Sequence, residues 1–274
     1  MRLSIVSIVL IVSCVVVVLV GCQAPSVSPN YSAVFDGSGG HWVDLSYTYS
    51  EDTIYWPTAD GFRLDEVAYG ETDAGYFYSA YNISTAEHGG THLDAPIHFS
   101  RGGLSSEQIP LDRLIAPAVV VDVSARATPD YRIDVADLEA WEQAHGRIPD
   151  GAILLLRTGW GERWPDRQNY LGTERMGPEA IAELHFPGIH EDAARWITNE
   201  RNVAAVGIDT PSLDYGQSTG FEAHVVICGA NIPGFENVAN LQALPEEGAF
   251  VVALPMKVAG GSGGPLRIVA FVPR

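Results

Sequence analysis

The thirteen residues from Glu87 to Phe99, EHGGTHLDAPIHF, contain three of the chain's eight histidines and an aspartate. Imidazole and carboxylate together are the donors that borderline divalent ions such as Zn²⁺ or Mn²⁺ take. A helix does not suit this stretch. Gly89 and Gly90 would each cost about 1 kcal/mol relative to alanine, and Pro96 would break the next turn, so the segment is extended or looped. In an extended strand residues two apart share a face, which turns His92 and Asp94 the same way, and the glycines let the backbone bring His88 beside them. A lone histidine is usually an ordinary hydrogen-bonded surface group. Here His-x3-His-x-Asp-x3-His falls within eleven residues, and such a set is costly to assemble unless a cation offsets its desolvation and repulsion.

The elements that must hold these donors follow from the rest of the pattern. Residues 41–46, 75–84 and 117–124 are β-branched or aromatic runs bounded by Gly, Pro or Ser, and they predict strands. Asp134 is placed to cap a helix running to about residue 145, with Val135, Leu138 and Trp141 on one stripe. The run 152–159 predicts a fully buried strand, residues 191–201 a helix, 202–209 another strand and 221–229 a further helix. Two final strands, 250–258 and 266–272, flank the Gly-rich stretch 260–265, which reads as a hairpin connection because it lacks the spacing of a phosphate cradle. Strands alternating with helices predict a mixed α/β layer fold. The chain has 274 residues, 46% of them hydrophobic, enough for one domain of about 230–250 residues after its N-terminal segments are set aside.

The stretch HGGTHLDAPIHF closely resembles the His-x-Gly-Thr-His-x-Asp-x-Pro-x-His-Phe signature of the metal-dependent cyclase family, which includes bacterial kynurenine formamidases and isatin hydrolases. The resemblance continues through GIDTPSLD (207–214), FEAHVVICGANIPGFENVANL (221–241) and ALPMKVAGGSGGPLRIVAF (253–271). It implies the swivelling β/β/α fold on a mixed sheet, in a single domain over 41–274. It also implies that His88, His92, Asp94, His224 and Glu236 bind one or two divalent ions, with Asp94 and Glu236 bridging if there are two. His98 takes the role of proton donor and acceptor, a fourth ligand being its competing role; an unperturbed imidazole, near 6.5, suits that work. Trp56, in TIYWPTADGF, corresponds to an aromatic residue lining the substrate pocket, although Pro57-Thr58-Ala59 departs from the family's Pro-Gly-Asp. The reaction implied is hydrolysis of a small amide or lactam by metal-activated water. The rival readings are a lipoprotein that binds metal or solute without turnover, and a cyclisation, dehydration or lactone hydrolysis on the same fold. A homodimer or larger homo-oligomer is expected.

Charge and the N-terminus bound the partners. The formal charge is −18, with 34 acidic against 16 basic residues and Lys257 the only lysine; no basic cluster can track a phosphate backbone, so nucleic acid is an unsuitable partner. Residues 3–20 are an apolar run behind Arg2, ending in Leu19-Val20-Gly21-Cys22. That tetrapeptide resembles the lipobox of bacterial lipoproteins, so residues 1–21 are expected to be a signal peptide, Cys22 to carry lipid as the membrane contact, and 22–40 to form a tether. The protein would then be exported and anchored to the cell envelope. Cys228 would be the remaining thiol, which excludes a disulfide. The insert 159–188, with two tryptophans, a tyrosine and His185, is expected to cap the pocket, touch another subunit or pack as a surface excursion.

Overall fold

The computed structural model describes residues 32–274. The expected signal peptide and the lipid-bearing Cys22 lie outside the described residues. The first described residues lie inside the stretch read as tether: a short helix, α1 (Ser32–Phe35), rests on the first strand, β1 (Gly40–Asp44), where Trp42 Nε1 donates to the Val34 carbonyl at 3.0 Å.

The strands that follow are β2 (Arg63–Glu71), β3 (Phe77–Ser84), β4 (His92–Asp94), β5 (Ile115–Asp122), β6 (Arg132–Ile133), β7 (Ile153–Arg157), β8 (Gly188–Ile189), β9 (Ala205–Ile208), β10 (Gly234–Glu236), β11 (Ala249–Pro255) and β12 (Gly263–Pro273). Between them lie α2 (Val135–His145), α3 (Arg167–Leu171), α4 (Glu191–Glu200) and α5 (Glu222–Gly229). Eight strands form the main sheet in the order β1-β12-β11-β5-β7-β9-β10-β4. A further pairing, β12 with β4, closes it into a barrel. One edge of β12 serves two partners: residues 263–265 pair with β4, and the last five pair with β1.

The two faces of this wall are buried differently. Along β7, Ile153 and Leu155 join an inner core with Leu93, Phe235, Val251 and Ile268, while Leu154 and Leu156 face α2, α4 and α5. Burial on both sides explains a continuous apolar run instead of an alternating one. α2 begins as its sequence predicts, since the Asp134 side chain accepts from the Asp137 amide at 3.1 Å. Its buried stripe is Asp137, Leu138 and Trp141, with Val135 only half-buried.

Two local expectations change. The stretch 260–265 is more than a connection, because Gly263 and Gly264 already belong to β12 and pair with Asp94 and Leu93. The strand read at 75–84 has a partner that alternation did not reveal, β2, and the two form a separate hairpin. The insert 159–188 contributes Trp160, Tyr170, Leu171, Leu184 and Phe186 to a third apolar cluster around Ile54, with Trp56 packed against it. Among the described residues, no helix is long and apolar enough to cross a membrane.

Candidate metal centre

β4 is the axis of the site. It turns His92 and Asp94 inward on one face and buries Leu93 in the core on the other, as the period of two requires. Gly90 precedes it at φ +55°, a left-handed conformation that glycine takes without strain; this bend carries His88 back beside Asp94. On one side β10 lays Glu236 opposite His92. On the other, β12 passes so close that a Cβ on Gly263 would lie 2.6 Å from His88 Cε1. Gly263 is therefore needed for strand approach. His224 enters from α5.

All five expected donors converge. His88 Nδ1 is 2.6 Å from Asp94 Oδ1, and His224 Nε2 is 3.0 Å from both Asp94 Oδ2 and Glu236 Oε1. His92 Nε2 lies 3.3 Å from Asp94 Oδ1 and 3.4 Å from Glu236 Oε2, yet is buried with no hydrogen-bond partner. Two overlapping groups can hold an ion: His88, His92 and Asp94, and Asp94, His224 and Glu236. His98 belongs to neither, which separates it from the donors.

The outer nitrogen of each histidine is already engaged. His92 Nδ1 donates to the Gly90 carbonyl at 3.0 Å and His224 Nδ1 to Asp214 Oδ2 at 2.6 Å. His88 Nε2 donates to Ser262 Oγ at 3.0 Å, and that hydroxyl donates onward to Glu87 Oε2 at 2.6 Å. Neutral rings fixed in these tautomers turn three bare nitrogens toward two carboxylates. Lone pairs facing lone pairs at such distances call for positive charge between them, and a divalent ion fits. The same demand shows in titration. Burial opposes the charged form of His92, but Asp94 and Glu236 together hold it up to about 10. Burial likewise opposes His224, and Asp214, Asp94 and Glu236 raise it well above the ordinary imidazole. Burial would raise Asp94, but His88, His224 and His92 hold its carboxyl well below the usual range.

The donors form one wall of a cavity of about 280 Å³. His98 stands in it, its ring stacked on His88 at 3.8 Å and edge-on to Phe99 at 4.6 Å. Enclosure lowers its basicity and His88 adds to this, while Asp94 opposes. One side of the ring opens to solvent, so water tempers the shift. His98 is thus neutral at neutral pH. Trp56 lines the opposite wall, 6.2 Å from the Phe221 ring and 6.4 Å from Phe186 of the insert. The insert thus packs behind this wall. Tyr170, also from the insert, donates through its hydroxyl to Asn237 Oδ1 at 2.8 Å, and Asn237 Nδ2 donates to the Gly90 carbonyl at 2.7 Å.

Sequence reasoning missed Asp214, Ser262, Glu87 and Asn237. All four lay inside quoted stretches, and for Asp214 and Ser262 a polar residue within an apolar or Gly-rich run was the available signal. Asp214 has two tasks. It accepts from the Ala223 and His224 amides at 2.8 and 3.1 Å, capping α5, while orienting the His224 ring.

Fold and donor set define the class, a divalent-metal protein built on a closed mixed sheet. The Cyclase family model matches residues 43–215, and the chain belongs to that family. Isatin hydrolase of Roseibium aggregatum is 33% identical over 223 residues, 77% of this chain and 81% of that one. Kynurenine formamidase of Salinibacter ruber is 30% identical over 235 residues, 83% and 95% of the two chains. Among solved structures, isatin hydrolase A from Ralstonia solanacearum superposes with a TM-score of 0.80 at 35% identity, over 91% of this chain and all of that one.

Proposed function

We propose that the chain is a metal-dependent hydrolase that cleaves the C–N bond of a compact aryl formamide or isatin-like lactam. The observation that carries this is the placement of His98 in the same cavity as the converging donors but outside both groups that could hold an ion. At about 280 Å³ the cavity is near the lower end for small-molecule sites. It suits one small ring system lying between Trp56, Phe99 and Phe221. Relatives named isatin hydrolase and kynurenine formamidase support the same chemistry.

His88, His92, Asp94, His224 and Glu236 would hold the metal. When bound, a divalent ion supplies Lewis-acid polarisation of a carbonyl and lowers the pKa of water from about 15.7 towards 7. Asp94 and Glu236 each face His92 with one oxygen and His224 with the other, so both carboxylates would take part in holding the metal. Zn²⁺ and Mn²⁺ both suit this donor set. Neutral His98 accepts a proton from the attacking water as its oxygen bonds to the carbonyl carbon. It then returns that proton to the nitrogen as the C–N bond breaks and the bond pair goes to nitrogen. The aromatic walls hold the ring. The LVGC stretch supports export and attachment through a lipid on Cys22, which would present the site to substrates arriving from outside.

The test pairs elemental analysis with product identification on N-formylkynurenine, isatin and simple lactones. Turnover of an amide or lactam is expected, and His98→Ala should keep its metal while losing about 10²–10⁴-fold in kcat. Metal-loaded protein that turns over none of the amides, or a His98→Ala variant of normal rate, would refute the reading.

A further inference from the structure

Among the described residues four that are not glycine take a positive φ. Three are Asn231, Asn237 and Asn240, whose short polar side chains tolerate the left-handed region. The fourth is Phe221, at φ 50° and ψ 44°, and for so bulky a residue that conformation is a true outlier. Gly220 beside it could carry the bend without strain, yet its own φ is not positive. Nor does α5 demand the conformation. Asp214 already caps that helix by accepting from the Ala223 and His224 amides, and Phe221 supplies no side-chain cap. What the conformation achieves is a direction. It sets the Phe221 ring in the cavity, 5.4 Å from Phe99 and 6.2 Å from Trp56, between walls that come from different segments. Hydrogen bonds hold the turn there. The Phe221 amide donates to Ser218 Oγ at 3.0 Å, that hydroxyl donates to Glu222 Oε2 at 2.7 Å, and the Phe221 carbonyl accepts from the Val225 amide at 2.9 Å. Backbone strain persists only where its surroundings over-determine it, and such places cluster at functional sites.

We propose that Phe221 is a specificity-determining residue of the cavity: its left-handed backbone fixes a ring between Trp56 and Phe99, which admits one planar ring system and rejects a substrate carrying a second ring. The reaction read out below rests on the hydrolase reading; the fit does not. The cavity of about 280 Å³ lies near the floor for small-molecule sites, and the space taken by the Phe221 ring would otherwise join it. A misfit of one methylene in an apolar pocket changes discrimination roughly 10–200-fold, so a whole ring in this position decides which substrates enter. The strain has a purpose in this arrangement. A ring on a relaxed backbone could swing aside for a larger ligand, whereas one held by the Ser218 hydroxyl and the first turn of α5 cannot yield without breaking those bonds.

Isatin is compared with its N-benzyl and C5-phenyl derivatives on the metal-loaded full chain. Wild type should favour isatin over both derivatives by at least about 10-fold in kcat/KM. In Phe221→Ala that preference should fall at least about 10-fold for one derivative or both, through KM more than kcat, because His98 and the metal donors are untouched. Phe221→Leu, which returns bulk without the ring, should restore the preference. Strain is read apart from fit. Phe221→Gly removes ring and strain together, so it should melt above Phe221→Ala even though glycine ordinarily lowers stability. Calorimetric titration of the three compounds into metal-loaded His98→Ala protein measures fit without turnover. If wild type hydrolyses none of them while isatin still binds at least about 10-fold more tightly than the derivatives, the hydrolase reading fails and the size limit stands. Wild type that takes all three equally in both assays would overturn the proposal. So would a folded, metal-loaded Phe221→Ala that discriminates as wild type does, or a Phe221→Gly that melts below Phe221→Ala.

Discussion

Asp214→Asn isolates how much of the centre depends on a residue that touches no proposed ion. The substitution keeps the shape and removes the charge. The carboxylate now accepts on both sides, from Ala223 N at 2.8 Å through Oδ1, and from His224 Nδ1 at 2.6 Å and its amide at 3.1 Å through Oδ2. An amide side chain can accept on one side only, so its NH₂ must face a buried donor, either the Ala223 amide or the His224 ring. One charge-assisted bond is lost, worth about 1.5–3 kcal/mol, and a buried donor is left unsatisfied at about 1–3 kcal/mol. Because the two overlap, the net destabilisation should be about 2–4 kcal/mol. His224 also loses the contact that fixes its tautomer, which typically weakens metal binding 10–100-fold. Urea unfolding of metal-free protein reads the first effect and competition with a chelator reads the second. Ser218→Ala, which removes a 3.4 Å contact to the same carboxylate together with hydrogen bonds to the Phe221 amide and Glu222, should cost only about 1 kcal/mol. If Asp214→Asn matches this control in both measurements, the idea that His224 is held by Asp214 is wrong.

Two further outcomes follow from packing and titration. Phe186→Ala removes a fully buried ring from the cluster behind Trp56; unfolding should lose about 3–5 kcal/mol, and KM should rise more than kcat falls because the proton-handling wall is untouched. A loss below about 1 kcal/mol would mean the insert is not a packed support. Burial pushes the Cys228 thiol up to about 12, leaving about one molecule in ten thousand as thiolate at pH 8. Native protein should therefore be silent to a thiol reagent there. Denatured protein should titrate one thiol if residues 1–21 are removed and Cys22 is lipidated, and three if neither has happened.

The sequence by itself determined the donor types and their first grouping. Glycine and proline forbid a helix at 88–96, and strand alternation alone sets His92 and Asp94 on one face, so that part of the centre needed no fold. It also located α2 through its cap and β7 through an apolar run that only burial on two faces explains. His224 and Glu236 were legible through resemblance alone, since a histidine on an apolar helix and a glutamate in a short strand carry no local signature. Tertiary structure decided the rest. Sheet closure sets β10 and β12 on either side of β4, and this brings Glu236 and Ser262 to histidines far away in sequence. Enclosure beside His88 and Phe99 lowers the basicity of His98. Local propensity cannot encode such facts, because a contact across the barrel and a change in solvation depend on which surfaces the whole chain buries together.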